Sequence, residues 1–325
     1  MNSLPILDLS SGDSAANAEL LNRTCETIGF FMLRGHDVSP ALQQRVRTVS
    51  KAFFDLPAAE KEKVAAAPGM GRGYRGFNIG ALAHSAGKAA PPDLRESFLV
   101  GPPDCPQGVA PEGCFAPNIW PVKPAELEPA VVHYYHAMAD LAARTLDLAA
   151  LALGLPQKYF RTFIDQSVSQ LQVINYPEQA EPPLETQLRA SAHTDFGTLT
   201  FLLAEDKPGG LQVQRPDGTW LDVVPPEPDV YIVNIGDLMA RWTNDRWRST
   251  VHRVVNPPRD AGAAARRTSV VFFHHPNEHA VISCLPNCST THRSALYPPT
   301  TAGQHMRAKI AAVYSKVPLR DRAAV

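Results

Sequence analysis

The sequence has little of several features that mark large classes of protein. Its five cysteines, an odd number without Cys-x-x-Cys spacing, are unlike a disulfide scaffold and favour a reduced, intracellular chain. Neither sign of charge predominates, since 31 Lys+Arg accompany 32 Asp+Glu, and no basic run is present to attract nucleic acid or anionic membrane. No stretch approaches the ~18 apolar residues of a membrane span, and Met1–Ser14 lacks the parts of a signal peptide. We therefore expect a cytoplasmic protein, a monomer or weak homodimer, with neither a nucleic-acid nor a membrane partner.

Proline, in contrast, is abundant. The chain has 30 prolines among 325 residues, about 9% where about 5% is usual. Ten of them fall between Pro91 and Pro129, where they overlap a loop-rich segment, Pro68–Pro124. A segment this long without regular structure is usually functional or disordered. We interpret it as an ordered surface layer that partly covers a site.

Apolar patterning predicts a chain that is mainly β with packed helices. Many short strands separated by turn residues favour a sandwich or barrel over a parallel α/β sheet. The predicted strands are Leu4–Leu9, Phe30–Leu33, Gln170–Tyr176, Leu199–Leu203, Leu211–Gln214, Trp220–Val223, Tyr231–Ile235, Val251–Val254 and Thr268–His274. The predicted helices are Asn17–Gly29, Ser39–Leu56, Ala58–Ala66, Glu126–Leu153 and Thr301–Ser315, with Ser39 as a capping hydroxyl and Pro40 at the first helical position. This divides the chain into an N-terminal region with the loop layer (1–124), scaffold helices (125–166), a β core (167–282) and a C-terminal extension (283–325).

Three residues of the β core form a candidate metal site. In His193-Thr194-Asp195, the first and third side chains share one face of an extended chain. This pair alone is a weak signal, because a capped turn explains it equally well. His252, in a β-branched segment, can add a third ligand from a strand across the barrel, although in isolation it reads as a surface histidine. Two histidines and one carboxylate leave coordination positions open, as in non-haem Fe(II) oxygenases, whereas a structural zinc site fills four.

A second set of residues suits an anionic co-substrate. Arg267 and Ser269 share one face of the predicted strand that ends the core. A guanidinium inside a barrel needs a paired anion, and its planar fork matches a carboxylate. Tyr176 can add a hydroxyl donor. The alternative is that Arg267 is simply one exposed member of the basic pair Arg266-Arg267.

Six segments occur in the order seen in one family. They are Asn175-Tyr176-Pro177, His193-Thr194-Asp195-Phe196-Gly197-Thr198-Leu199-Thr200, Gly209-Gly210-Leu211-Gln212-Val213, Val233-Asn234-Ile235-Gly236-Asp237, His252-Arg253-Val254 and Arg267-Thr268-Ser269. The chain resembles the isopenicillin N synthase-like iron(II)/2-oxoglutarate-dependent dioxygenases. The segment Gly29-Phe30-Phe31-Met32-Leu33-Arg34-Gly35-His36 is also similar to the N-terminal domain of that family, so the resemblance covers nearly the whole chain.

The resemblance implies a distorted double-stranded β-helix, or jelly-roll, with helices on one side. It assigns Fe(II) to His193, Asp195 and His252, and the distal carboxylate of 2-oxoglutarate to Arg267, Ser269 and Tyr176. It also implies O2 as co-substrate and an oxidised C–H bond, by hydroxylation, desaturation or ring closure, with release of succinate and CO2. The sequence departs from many plant members at Ile174, which stands where they have Asn. His36, His274 and His275 are not metal candidates under this alignment.

The substrate is expected to be a small, mostly apolar molecule of specialised metabolism. Candidate pocket residues lie near the iron triad or in the loop layer, although core packing explains each of them equally well: Arg72, Tyr74, Phe77, Phe98, Gln172, Ile174, Phe196 and Phe273. Arg72 or Arg95 could meet an acidic group. Three alternatives remain at this point: an oxidase that uses the triad without 2-oxoglutarate, a non-catalytic receptor, and a zinc hydrolase, which would need a nearby general base.

Overall fold

The computed structural model describes residues 3–67, 71–179, 181–289 and 294–314. Two antiparallel β-sheets face each other in the middle of the chain, and strands from the N-terminal region extend the larger one. The larger sheet has the order β1-β2-β10-β7-β12-β5-β4-β3, and the smaller has the order β6-β11-β8-β9. The predicted jelly-roll fold is confirmed. The strands are β1 Ile6–Asp8, β2 Phe30–Arg34, β3 Gly73–Arg75, β4 Glu96–Val100, β5 Gln170–Tyr176, β6 Ala190–His193, β7 Leu199–Leu203, β8 Leu211–Gln214, β9 Trp220–Asp222, β10 Tyr231–Ile235, β11 His252–Val254, β12 Arg267–His274, β13 Val281–Ile282 and β14 Thr300–Thr301.

The central pair β5 and β12 separates the two sides of the larger sheet. Their register places Tyr176 opposite Arg267 and Ile174 opposite Ser269. Alternation sends these four side chains to the face that looks at the smaller sheet. The intervening residues, such as Val173 and Phe272, join the main apolar core on the other face. The barrel interior is therefore separate from the core under the helices.

Helices cover the outer face of the larger sheet. The longest, α4 Leu127–Ala152, is apolar over much of its surface and packs beside α1 Ser14–Thr27 and α2 Pro40–Phe54. It stops before Gly154, whose φ of +69° is a left-handed conformation that suits glycine. The others are α3 Ala58–Glu62, α5 Asp237–Trp242 and α6 Ala302–Tyr314. Ser315, predicted to end the last helix, lies outside the described residues. Among the helices described, none combines the length and the apolar character needed to cross a bilayer.

The loop layer contains regular structure that the sequence did not predict. Within it, β3 and β4 pair with each other, and β4 pairs with β5, so they form one edge of the larger sheet. Strand β6 and helix α5 were also missed. Each is at most six residues long, and β3 and β4 are surrounded by glycines or prolines that normally indicate turns. The predicted cap on α2 was wrong in one respect: the helix does begin at Pro40, but the Ser39 side chain makes no capping hydrogen bond.

A buried polar cluster ties α3 to this edge of the sheet. The Lys61 Nζ lies 2.7 Å from Glu96 Oε2, and the Tyr74 hydroxyl donates to the same oxygen at 2.6 Å. Asn175 Nδ2 donates to Glu96 Oε1 at 2.7 Å. Because both carboxylate oxygens have donors, the charge of Glu96 is tolerated away from water.

Candidate active site

Two histidines from neighbouring strands begin the candidate metal site. His193 ends β6 and His252 begins β11, and the two residues are direct partners in the antiparallel ladder. Such partners carry their Cβ atoms about 5 Å apart, and here the ring centroids are 4.3 Å apart. The expectation that His252 comes from across the barrel was therefore wrong. His252 lies in the same sheet as His193. The prediction failed because β6 was not recognised as a strand beside β11.

Asp195 completes the group two residues after His193. Its Oδ1 lies 3.8 Å from Nε2 of each histidine. All three side chains are buried, and one ligand atom from each lies within 4.8 Å of the others. The structure thus brings together the three residues that the sequence singled out. Among the residues described, they form the one group of His, Cys, Asp and Glu close enough to hold a metal ion.

Hydrogen bonds behind the three side chains fix their orientation. The Nδ1–H of His193 donates to the Ser191 carbonyl at 2.7 Å, and that of His252 donates to the Thr250 carbonyl at 3.1 Å. Since a carbonyl can only accept, the neutral form of each ring carries its proton on Nδ1 and its lone pair on Nε2, at the shared centre. Asn234 Nδ2 donates to Asp195 Oδ2 at 2.8 Å, which leaves Oδ1 free on the side of the histidines.

Electrostatics prepare the same groups for a cation. Burial, reinforced by the neighbouring His252, lowers the pKa of His193 well below its ordinary value. Burial acts to raise the pKa of Asp195, yet the two histidines and its hydrogen bonds hold that pKa below the usual range. Neutral imidazoles and an ionised carboxylate are the donors that Fe(II) takes in a two-histidine, one-carboxylate site. The residues present therefore fit Fe(II).

The predicted co-substrate residues lie together in the barrel interior. Tyr176, Arg267 and Ser269 are each at most 5% exposed. Arg267 is held from behind, because its Nη1 donates to the Gly209 carbonyl and its Nη2 to the Glu205 carbonyl, both at 2.6 Å. A cavity of about 310 Å³ lies on the side of this guanidinium that faces Glu205 and Gly209, and neither Tyr176, Ser269 nor the triad lines it.

A second buried arginine, which the sequence did not indicate, lies beside them. Arg189 is 0% exposed, and its guanidinium carbon is 5.7 Å from the centre of the Tyr176 ring. Its Nη1 donates to the Pro208 carbonyl at 3.1 Å, its Nη2 donates to the Ala265 carbonyl, and its Nε has no hydrogen-bond partner among the described residues. Burial and the nearby charge of Arg267 lower the pKa of Arg189 to about 10. It is therefore still a cation at neutral pH, and the pocket holds two.

Some of the predicted substrate residues do face this interior. Gln172, Ile174 and Phe273 lie on the inner faces of β5 and β12, and Gln172 Nε2 donates to Ser97 Oγ at 3.0 Å. Phe196 follows Asp195, and its ring lies 5.9 Å from Lys309 Nζ, so it is turned towards α6. Phe77 is in a turn of the loop layer and is 45% exposed.

The structure places the other three predicted substrate residues elsewhere. Tyr74 and Phe98 belong to the main core, on the helix-covered face, where both pack against Phe53 of α2. Arg72 braces the loop layer, since its Nε donates to Asn118 Oδ1 at 3.1 Å and its Nη1 donates to the Gly113 carbonyl at 3.0 Å. The structure does not bring these three together with the triad. The alternation that separates them could not be applied because β3 and β4 were unrecognised.

Comparisons with known proteins agree with this arrangement. Residues 4–123 match the family model described as the non-haem dioxygenase in morphine synthesis N-terminal, and residues 168–276 match the 2OG-Fe(II) oxygenase superfamily. The chain is 36% identical over 311 residues to a 2-oxoglutarate-Fe(II) type oxidoreductase of Aspergillus fumigatus, covering 91% of this chain and 89% of the relative. It is 33% identical to the validamycin A dioxygenase of Streptomyces hygroscopicus subsp. limoneus, covering 83% and 76%.

A solved structure gives the same result. A full-length protein of Neurospora crassa, crystallised in complex with α-ketoglutarate, superposes with a TM-score of 0.82 at 30% identity and covers 96% of each chain. Two family models together match most of the sequence, and a relative above 30% identity spans nearly all of it. With the buried His-Asp-His group, this establishes the cofactors as Fe(II) and 2-oxoglutarate, with O2 as co-substrate. The chain belongs to the isopenicillin N synthase-like family of Fe(II)/2-oxoglutarate-dependent dioxygenases, oxidoreductases that act on small molecules.

Proposed function

We propose that His193, Asp195 and His252 hold the Fe(II) of this dioxygenase, and that Arg267, Ser269 and Tyr176 bind the distal carboxylate of 2-oxoglutarate. One observation carries the assignment. Three buried donors converge on a common centre at one end of the barrel, and a buried guanidinium shares the interior with them. A dicarboxylate between the two would have one end at the metal and the other at the guanidinium.

The residues around the centre position the metal and the co-substrate. When bound, Fe(II) and 2-oxoglutarate supply O2 activation, with release of succinate and CO2 and oxidation of a substrate C–H bond. His193 and His252 turn Nε2 towards the centre because the Ser191 and Thr250 carbonyls accept their Nδ1 protons. Arg267 offers a planar pair of donors to a carboxylate. These side chains are fixed before any ligand arrives, which reduces the ordering cost of binding.

The walls of the interior favour a small, mostly apolar substrate. Ile174, Tyr176 and Val271 form a buried cluster, and Phe273 packs against it. Such walls exclude water from the reacting centre, which suppresses side reactions. We infer that the product is a hydroxylated, desaturated or cyclised small molecule of specialised metabolism.

We also propose that the protein works in the cytoplasm as a monomer or a weak homodimer, without a nucleic-acid partner. All five cysteines are free, which suits a reducing compartment. Sedimentation equilibrium over a hundredfold concentration range tests the oligomeric state. A tight dimer or a higher oligomer would contradict this part of the proposal.

The residue assignment is tested by anaerobic reconstitution. Protein incubated with Fe(II) and 2-oxoglutarate should develop the weak visible charge-transfer band, and addition of O2 should yield succinate. His252→Ala should abolish both the band and the succinate. Arg267→Ala should retain Fe(II) binding but raise the 2-oxoglutarate requirement steeply. An unchanged requirement in Arg267→Ala would show that the anchor lies elsewhere, and a band in His252→Ala would remove this histidine from the metal site.

A further inference from the structure

One arginine of the loop layer lies at the edge of the barrel interior. Ser97 of β4 lies on the inner face, where its hydroxyl accepts from Gln172. Arg95 immediately precedes β4, two positions before Ser97, where a continued alternation would put it on the same face. Its ion-pair partner Asp93 accepts the backbone N–H of Ser191 in β6, two positions before His193, and the charge of Arg95 opposes the burial that raises the pKa of Tyr176. Arg95 thus lies between β4 and β6, beside the strand that ends in His193 and within electrostatic range of Tyr176.

The guanidinium of Arg95 is held in place, but not all of its hydrogen-bond donors are used. Its described ion-pair partner is Asp93, whose Oδ2 is 3.7 Å from Nε, too far for a hydrogen bond. Asp93 is itself fixed, because its oxygens accept backbone N–H groups of Ser191 at 2.9 Å and Leu82 at 3.1 Å. The Arg95 side chain is 18% exposed. Asp93 therefore orients the arginine and leaves its two Nη groups available to a ligand in the interior.

The surroundings indicate the kind of ligand. Further along the inner face, Ser97 lies opposite Ile174 and accepts a hydrogen bond from Gln172, and Phe273 packs against the apolar cluster that contains Ile174. The distal carboxylate of 2-oxoglutarate already has Arg267, with Arg189 beside it. The Arg95 guanidinium is planar and carries one charge, which matches a carboxylate, whereas a phosphate dianion would need more than one cation.

We propose that Arg95 binds the carboxylate of the primary substrate, so that the enzyme oxidises small organic acids with an apolar body. This inference rests on the proposed function, because it assumes that the barrel interior is the reaction site. The carboxylate would be held at the mouth formed by β4, with the apolar part of the substrate directed along Ile174 and Phe273.

Matched pairs of acids and amides test the inference by binding rather than by turnover. Anaerobic protein with Fe(II) and 2-oxoglutarate is titrated calorimetrically with phenylacetate, cinnamate and octanoate, and with the amide of each. At least one acid should bind wild type ten or more times tighter than its amide. Arg95→Gln should remove this preference while leaving amide binding unchanged, and Arg95→Lys should retain part of it. Arg45→Gln, which removes a similar charge from an exposed ion pair with Glu126, should behave as wild type.

The outcomes separate this inference from the function on which it rests. If a separate anaerobic titration of the Fe(II) protein shows that wild type does not bind 2-oxoglutarate, the proposed function fails. If it binds 2-oxoglutarate but prefers no acid over its amide, or if Arg95→Gln keeps the preference, the role of Arg95 is refuted. Loss of 2-oxoglutarate binding in Arg95→Gln would assign the residue to the co-substrate instead. Should Arg95→Gln not fold, Arg95→Lys decides: acid binding at least threefold weaker supports the inference, and unchanged acid binding overturns it.

Discussion

At the scale of single residues, Asn234 controls how Asp195 meets a metal. Its amide holds Oδ2 at 2.8 Å, and the residue is only 4% exposed. Partners of this kind typically contribute 10–100-fold to metal affinity. We expect Asn234→Ala to weaken Fe(II) binding by roughly that factor, measured by anaerobic calorimetry. Asn287→Ala, which removes an amide that bonds Leu153 and Gly154 carbonyls far from the triad, is the matched control. Equal Fe(II) affinity in wild type and Asn234→Ala would contradict the prediction.

Arg189 should increase the affinity for 2-oxoglutarate through its charge. It lies behind the Tyr176 ring and close enough to Arg267 that the two cations repel. A dianionic ligand relieves this repulsion, so we expect Arg189→Met to raise the KM for 2-oxoglutarate roughly tenfold, or about 1.4 kcal/mol, with a smaller change in kcat. Because lysine keeps the positive charge, the KM of Arg189→Lys for 2-oxoglutarate should stay within about threefold of the wild-type value. If the Lys and Met variants raise the KM equally, the shape of the side chain matters and its charge does not.

The sequence was informative about residues whose chemistry depends on close neighbours in the chain. His193 and Asp195 are two positions apart, as are Arg267 and Ser269, so alternation alone placed each pair on one face. Asn234 and Arg189 act through partners that are distant in the chain, Asp195 and Pro208. Their roles depend on the tertiary arrangement of these segments, which no local pattern contains.

At the scale of secondary-structure elements, the buried Lys61–Glu96 pair holds α3 against β4. Removal of one partner leaves an uncompensated charge away from water, which typically costs about 3–5 kcal/mol. We expect Lys61→Met to lower the free energy of unfolding by about that amount, measured by urea denaturation. Lys63→Met, which breaks an exposed pair with Glu60, should cost less than about 1 kcal/mol.

A double variant tests the cause of this loss. Glu96→Gln added to Lys61→Met removes the orphaned charge while Gln can still accept from Tyr74 Oη. The double variant should therefore be more stable than Lys61→Met alone. If it is less stable, the cost comes from lost packing of the lysine stem rather than from the charge.

Long elements were predictable, whereas the elements that the sequence missed are all short. Helix α4 and strands β5 and β12 have enough residues to show a period, and their bounds were predicted closely. Strand β6 has four residues, with partly exposed Ala192 inside it, and β3 has three. These strands exist because partner strands pair with them, so tertiary context decides them rather than local preference. This explains why Tyr74, Phe98 and Arg72 were grouped with the substrate pocket.

At the scale of the whole molecule, buried histidines should make stability depend on pH. Burial lowers the pKa of His274 to about 3 and that of His275 to about 4, from 6.5. As pH falls below 6.5, the unfolded chain takes up protons that the folded protein excludes, so the free energy of unfolding falls. Each histidine contributes up to about 1.4 kcal/mol per pH unit. Urea denaturation between pH 7 and pH 4.5 measures the slope.

Substitution of one histidine should make this slope shallower. His274→Gln cannot take up a proton on unfolding, so its stability should fall less steeply with falling pH than that of wild type. His279→Gln changes an exposed histidine and should keep the wild-type slope. The two slopes are compared rather than the absolute stabilities, because His274→Gln also disturbs the hydrogen bond with Thr198 Oγ1. An unchanged slope in His274→Gln would exclude this histidine as a source of the acid sensitivity.

The N-terminal region supplies both edges of the larger sheet, and this has a consequence during synthesis. Strand β2 pairs with β10, about 200 positions later in the chain. At translation rates of about 5–20 residues per second, β2 emerges roughly 10–40 s before its partner. During that interval the apolar run Phe30-Phe31-Met32-Leu33 has no β10 to cover it. The nascent chain is therefore a natural client for chaperones at the ribosome, and its folding is governed by distant pairings that form late and slowly.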